Sequence, residues 1–347
     1  MKIKILLVIA GAAIAVPTML RAQPNPTAPQ EQFEQTQHQM QLQNPPMLNL
    51  STNTEAPEIY PGENADVGPQ HILKSRPPRK TWFEVVADSQ YYYSDNLKLS
   101  DGDKVSGPLF VNTIQAAFAP EAFQLGSGQF APTVGYRSQW FNYGLGGGPS
   151  HIDMLDFNAQ TAFASGRYQM GLWSVFGEFD FTRLLDQDKY KEVYREYVPT
   201  IGIQRTFPVC DKLAFSVGGQ VDYHWTEIPK NSSFPQTDVN NRFDASLLLA
   251  AAWQVMPKLV LQPFYRLQFT DYQGYADGTT ESDGVTVIHR ERQDVINTLG
   301  TTLTYYITKN ISARIFANYE IKDNDFSKTY DYHKFDGGGG AGLDIRF

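Results

Sequence analysis

Asp222 and His224 stand two residues apart, a spacing that can pair a carboxylate with an imidazole, and Ser216 lies on the same parity. A hydroxyl nucleophile needs its base within hydrogen-bond reach. An extended chain rises ~3.3 Å per residue, so Ser216 and His224 would stand ~26 Å apart, whereas Asp222 and His224 would be ~7 Å apart. The acid and the base can meet, but no nucleophile joins them, and His224 reads as a hydrogen-bonding histidine. His151, His289 and His333 show no metal-ligand spacing. Asp101 with Asp103, Asp277 with Glu281 and Asp283, and Asp323 with Asp325 and Asp331 offer oxygen ligands, yet no EF-hand spacing links them. They read as solvated loop tips. Gly-rich phosphate loops, His-Glu metal helices and Gly-x-Ser-x-Gly elbows do not occur. No catalytic residue, cofactor or metal is therefore expected. A net charge of -8 argues against nucleic acid as a partner.

A larger set of ionisable residues recurs with period two. Glu84 and Asp88 open the set, followed by Arg137, Asp156, Glu178, Asp180 and Glu196. Asp222, His224, Arg242, Asp244 and Arg266 continue it, and Arg314, Glu320, Asp344 and Arg346 close it, with Gln204 and Lys322 on the same faces. Residues of both signs sharing one face of successive strands can brace an interior by ion pairing, or form a selective constriction for small solutes. The acids outnumber the bases, which predicts a preference for cations if the interior is open.

The elements that carry this pattern are strands. From Leu213 to Trp225, every odd residue except Gly219 is apolar, while Ser216, Gly218, Gln220, Asp222 and His224 alternate with them. Leu259–Phe269, Val295–Ile307 and Ile311–Ile321 repeat the rule. Twelve strands are predicted near 82–94, 108–119, 129–143, 152–165, 168–182, 192–207, 212–226, 240–255, 258–272, 290–307, 310–322 and 332–347. The second and fifth carry apolar residues on both faces. Their connections alternate in length. Gly166-Arg167, Pro208–Asp211, Met256-Pro257 and Thr308-Lys309 are short, and the intervening ones are long and rich in Gly, Asp, Asn and Ser, with 120–128 as the exception. Periplasmic turns and extracellular loops of a membrane barrel alternate in this way.

The fold expected is all-β: a closed antiparallel transmembrane β-barrel of about 12 strands, with 10 or 14 also compatible, carrying a disordered N-terminal extension. Aromatic residues make up 13% of the chain, as interfacial belts require. Trp82, Phe207, Trp253, Tyr305 and Phe347 would form one belt, and Tyr91, Tyr93, Trp140, Trp225 and Tyr319 the other. Mean hydropathy is only -0.38. No apolar run outside the N-terminus is long enough for a spanning helix. Cys210 is the single cysteine, so an internal disulfide is excluded.

The ends divide the chain further. Lys2 and Lys4, the apolar run Ile5–Val16 and Ala22 read as a signal peptide over residues 1–22. Residues 23–80 are rich in Pro and Gln and too poor in aliphatics to offset their ordering entropy, so they read as a flexible periplasmic extension. Within them, Gln30–Gln43 is also compatible with a short helix, either for a partner or as a plug in the barrel. Residues 81–347 are the barrel. The chain ends Gly-Leu-Asp-Ile-Arg-Phe, with Leu343, Ile345 and Phe347 on one face. That ending resembles the assembly signal of Gram-negative outer-membrane proteins. The resemblance implies outer-membrane lipid and lipopolysaccharide around the wall, and the barrel assembly machinery as a partner. Tyr-Tyr-Tyr-Ser-Asp-Asn at 91–96 resembles the opening of a family of β-barrel porins, some associated with exopolysaccharide export.

Three functions fit this reading. The first is a porin-like channel for small solutes or ions. The second is a structural anchor or export partner, polysaccharide-related if the porin resemblance is followed, that engages a periplasmic component through residues 23–80. The third, an outer-membrane lipid-active enzyme, has the least support, because no nucleophile accompanies His224.

Overall fold

The computed structural model describes residues 28–43, 81–101, 104–144, 156–187, 190–227, 241–275, 279–280, 287–288, 291–325 and 331–347. The signal-peptide reading falls outside them.

Period-two alternation produces one antiparallel sheet that closes on itself. Its strands are β1 (Phe83–Ser94), β2 (Gly107–Phe118), the three-residue β3 (Phe123–Leu125), β4 (Gly128–Tyr143), β5 (Phe157–Met170), β6 (Trp173–Asp186), β7 (Glu192–Cys210), β8 (Leu213–Glu227), β9 (Arg242–Met256) and β10 (Leu259–Tyr275). The two-residue strands β11 (Thr279–Thr280) and β12 (Val287–Ile288) pair only with each other, and β13 (Glu291–Tyr306), β14 (Ile311–Asn324) and β15 (Tyr332–Arg346) complete the ring. Twelve strands form the barrel wall. It closes where β1 meets β15, from Glu84↔Arg346 to Ser94↔Asp336. Closure leaves no unpaired edge, the condition for a sheet to stand in hydrocarbon.

The predicted boundaries need two corrections. The turn expected at Gly166-Arg167 lies at Gly171-Leu172, so β5 runs on to Met170 and β6 begins at Trp173. Gly166 is a packing glycine: a Cβ there would meet the ring of Phe130 on β4 at 2.6 Å. The turn expected at Pro208–Asp211 lies at Asp211-Lys212. The long connection 120–128 contains β3, which folds back on the start of β4 through Phe123↔Phe130.

The outer surface is apolar. Ile315 is 62% exposed, Leu299 60%, Ile201 59% and Val134 56%. A band this broad marks a lipid-facing wall. Trp82, Phe83, Trp253, Tyr305 and Phe347 are exposed at the short-turn end, and Tyr91, Tyr93, Trp225 and Tyr319 towards the long loops. The seam is tied by backbone hydrogen bonds from Trp82 N and Phe83 N to Phe347 O, both 3.0 Å, and Phe83 and Phe347 stack at 6.2 Å.

The lumen holds a helix, α1 (Ala28–Gln43). For these sixteen residues the structure takes the helical alternative of the sequence reading. Gln and Glu are good helix formers, Pro29 suits a first turn, and Glu31 there complements the dipole. A helix of this length is marginal alone in water, so the wall must hold it. Gln32 donates to Tyr92 Oη on β1 at 2.9 Å, and Gln37 donates to Gln139 on β4. Glu34 pairs with Arg242 on β9, and Glu31 with Lys322 on β14 at 2.9 Å. These strands lie on different sides of the ring, so α1 crosses the lumen. All the wall partners sit near strand ends that lead into the long connections, which places α1 in the half of the lumen away from the chain's C-terminus.

Candidate luminal site

Parity fixes which side chains reach the lumen. Even residues point inward on β1, β6–β10 and β13–β15, and odd ones on β2, β4 and β5, as burial shows. The interior has three zones. At the short-turn rim, Glu84 pairs with Arg346 at 3.1 Å, and Asp344 lies 3.7 Å from the same guanidinium. In the middle, Asp88 meets Arg314 at 2.6 Å, and Arg137 meets Asp180 at 3.6 Å, with Glu178 half-buried on the same face as Asp180. Inward rings narrow this zone. Phe264 lies over Gly300 so closely that any Cβ there would collide with it.

The third zone surrounds α1. Its first part is apolar: Phe33 sits 3% exposed among Leu109, Val111, Phe141 and Phe157, edge-on to Phe141 at 6.4 Å. The second part is ionic and centres on His224. Its Nδ1 lies 3.1 Å from Glu196 and its Nε2 3.1 Å from Asp222, with Asp244 at 3.4 Å. Arg242 lies 3.1 Å from His224 Nδ1 and 3.2 Å from Asp244. Tyr194 donates to Glu196 at 2.9 Å. Both imidazole nitrogens thus face carboxylates, so neither is directed at a hydroxyl. The Asp222–His224 pairing expected from spacing is present. Asp222, His224 and Asp244 bring one ligand atom each within 4.8 Å of one another, as do Glu34, Glu196 and His224, which is metal-compatible spacing. The Arg242 guanidinium already supplies a positive charge at this point.

A third part, also ionic, joins α1 to β10 and β13–β15. Lys322 bridges Glu31 and Asp294, at 2.9 and 3.0 Å, and Asp294 also holds Arg292 at 2.7 Å. Lys334 pairs with Asp336 at 3.0 Å and donates to Gln32 at 3.1 Å and to Gln35. Glu320 accepts from Gln35 at 2.5 Å, from Tyr332 at 2.7 Å and from Thr298 at 2.9 Å, and faces Arg266 at 3.9 Å.

One predicted luminal residue falls elsewhere. Asp156 precedes β5, and its carboxylate accepts from the Tyr143 backbone amide at 2.7 Å, tying the rim between β4 and β5. The sequence reading omitted Arg292, Asp294, Lys334 and Asp336. Their even parity was the available signal. These four residues are two cations and two carboxylates paired with each other, so they leave the excess of luminal acids over bases as it was. Leu343, Ile345 and Phe347 point outward, 36%, 40% and 57% exposed, as the terminal motif requires.

A closed antiparallel barrel with an apolar jacket, aromatic rims and an ionic interior defines an integral outer-membrane β-barrel. No family model and no curated protein matches the chain. Among solved structures, an outer membrane channel from Pseudomonas putida F1 aligns over 81% of this chain and all of its own, at TM-score 0.48 and 13% identity. The β-domain of the Bordetella autotransporter BrkA aligns over 76% of this chain and all of its own, at 0.41 and 12%. The KdgM porin aligns over 74% and 98%, at 0.38 and 12%. These likenesses concern barrel architecture, and no functional conclusion rests on them.

Proposed function

We propose that this protein is an outer-membrane channel for small solutes, held closed by its own N-terminal helix. The observation that carries the reading is the chemistry of the contact between α1 and the wall. Among the described side chains, the helix is seated, Phe33 apart, through carboxylates and amides: Glu31, Gln32, Glu34, Gln35 and Gln37 each meet a polar wall group. Groups of that kind exchange readily for water, so undocking exposes apolar surface chiefly at Phe33 and the wall patch that receives it. A lumen kept permanently solid would be filled more stably with apolar side chains. No catalytic step is assigned to the His224 cluster. The anchor reading requires the extension to be free for a periplasmic component, and the seated portion of it is engaged in the lumen.

The test is conductance in planar bilayers. The mature wild-type protein should open rarely, and E31Q/E34Q, which removes both helix carboxylates, should raise the open probability. A correctly assembled double variant that passes no current would overturn the channel reading.

A further inference from the structure

Glu31 and Glu34 lie three residues apart on α1, a spacing that puts Cβ atoms ~5–6 Å apart on one helix face. Each carboxylate meets a cation on a different strand: Glu31 takes Lys322 on β14, and Glu34 takes Arg242 on β9. Arg266 stands on β10, next to β9 in the ring, and lines the same pocket as both pairs. Among the described residues its one acidic neighbour at ion-pair distance is Glu320, 3.9 Å from Nη2. Arg266 is 7% exposed, yet its Nε and Nη1 have no hydrogen-bond partner. Buried donors are rarely left unmatched, and the free Nε–H and Nη1–H groups can each donate to a carboxylate oxygen in a charge-assisted hydrogen bond. Lys322 and Arg242 keep Asp294 and Asp244 as wall partners, at 3.0 and 3.2 Å, when the helix leaves. They therefore stay ordered and available for a new anion.

We infer that this pocket is a binding site for solutes bearing two or three carboxylates, and that Glu31 and Glu34 occupy it as built-in ligand mimics. The inference rests on reading α1 as a removable plug. A polycarboxylate would take the Lys322 and Arg242 positions, add the unmatched N–H groups of Arg266, and hold the helix out. Binding and opening are then coupled, because the ligand binds only the undocked state. The docked helix lowers the apparent affinity by the fraction of molecules in which it is seated.

The probe is tricarballylate, with its neutral triamide as control, titrated calorimetrically into the full-length mature protein in detergent. Heat-modifiable migration verifies that each variant is assembled. Tricarballylate should bind the wild type and the triamide should not. E31Q/E34Q should bind roughly tenfold tighter, because the competitor is lost. R266K keeps the charge but loses the fork, and should bind roughly tenfold more weakly. In bilayers, tricarballylate should open the wild type, while E31Q/E34Q should be open without it. Absence of binding to both the wild type and E31Q/E34Q overturns the site, and so does equal binding by the triamide or unchanged affinity in R266K. If E31Q/E34Q conducts but binds no tricarballylate, the ligand assignment fails and the channel stands. If it binds but never conducts, the site stands and the channel fails.

Discussion

Replacing Phe33 by Ala tests whether α1 is seated as a plug, independently of any current. Among the described residues, Phe33 is the one large apolar side chain the helix buries in the luminal wall, 3% exposed and edge-on to Phe141. Truncating a buried Phe costs ~3–5 kcal/mol where it belongs to a core. Here the loss falls on docking, because the wall is held by the barrel ladder and not by the helix. Even the lower value, at ~1.4 kcal/mol per decade, raises the undocked population about a hundredfold. The assay is digestion with a Glu-specific protease, following the bonds after Glu31 and Glu34 by mass spectrometry. Both residues are shielded only while the helix is docked. Cleavage tracks the open population when reclosing outpaces cutting, so the Phe33→Ala rate should rise by about two orders of magnitude. A rise of less than about threefold, ~0.6 kcal/mol, in an assembled barrel would refute the placement of Phe33.

Three further outcomes follow from the wall. Val217 faces lipid at 42% exposure, so Val217→Arg should lose ~2–4 kcal/mol in urea unfolding from vesicles, while the inward-facing Gln220→Ser should lose far less; equal losses would reverse the facing of β8. Phe347 closes the β1–β15 seam, so Phe347→Asp should lower the heat-modifiable form recovered from outer-membrane fractions, and normal recovery would dissociate the terminal residue from assembly. Asp88→Asn strands the buried Arg314 guanidinium, which sits 2.6 Å from that carboxylate, and should destabilise by about 3 kcal/mol, with Asp88→Asn/Arg314→Met recovering most of it. Additive losses in that double variant would show that the two residues do not interact.

The barrel was legible because lipid imposes one-sided apolarity. Leu213–Trp225 and Leu259–Phe269 announce their facing, and all twelve wall strands lie close to the predicted ranges. Misplacing the Gly171-Leu172 turn by five residues left the facing intact. Glu178 and Asp180 still point inward, because strand parity is set by the register with neighbours and not by where the hairpin turns. The signal faded where the wall rises above the hydrocarbon. Arg292, Asp294, Lys334 and Asp336 alternate with polar Gln293 and with His333, since an outer face in water need not be apolar. The double apolar faces of β2, obscure in sequence, have a cause in the lumen: Leu109 and Val111 point inward to receive Phe33.

The luminal helix was offered by the sequence only as the lesser alternative, for a different reason. A compositional test of order asks whether a segment can bury enough apolar surface, and residues 28–43, read alone, cannot. That test assumes the rest of the chain offers only apolar partners. A barrel lumen is instead a ready-made set of fixed hydrogen-bond and charge partners, dry enough to strengthen each contact and shared among neighbours through Glu320, Lys322 and Lys334. The entropy lost on ordering α1 is offset by satisfying polar groups on both sides, with Phe33 adding an apolar anchor. A helix seated that way is bound in proportion to how well the wall matches it. Anything that matches the wall's cations better can therefore displace it. The same polar pattern that weighed against order in a compositional reading is what the proposed gating by α1 requires.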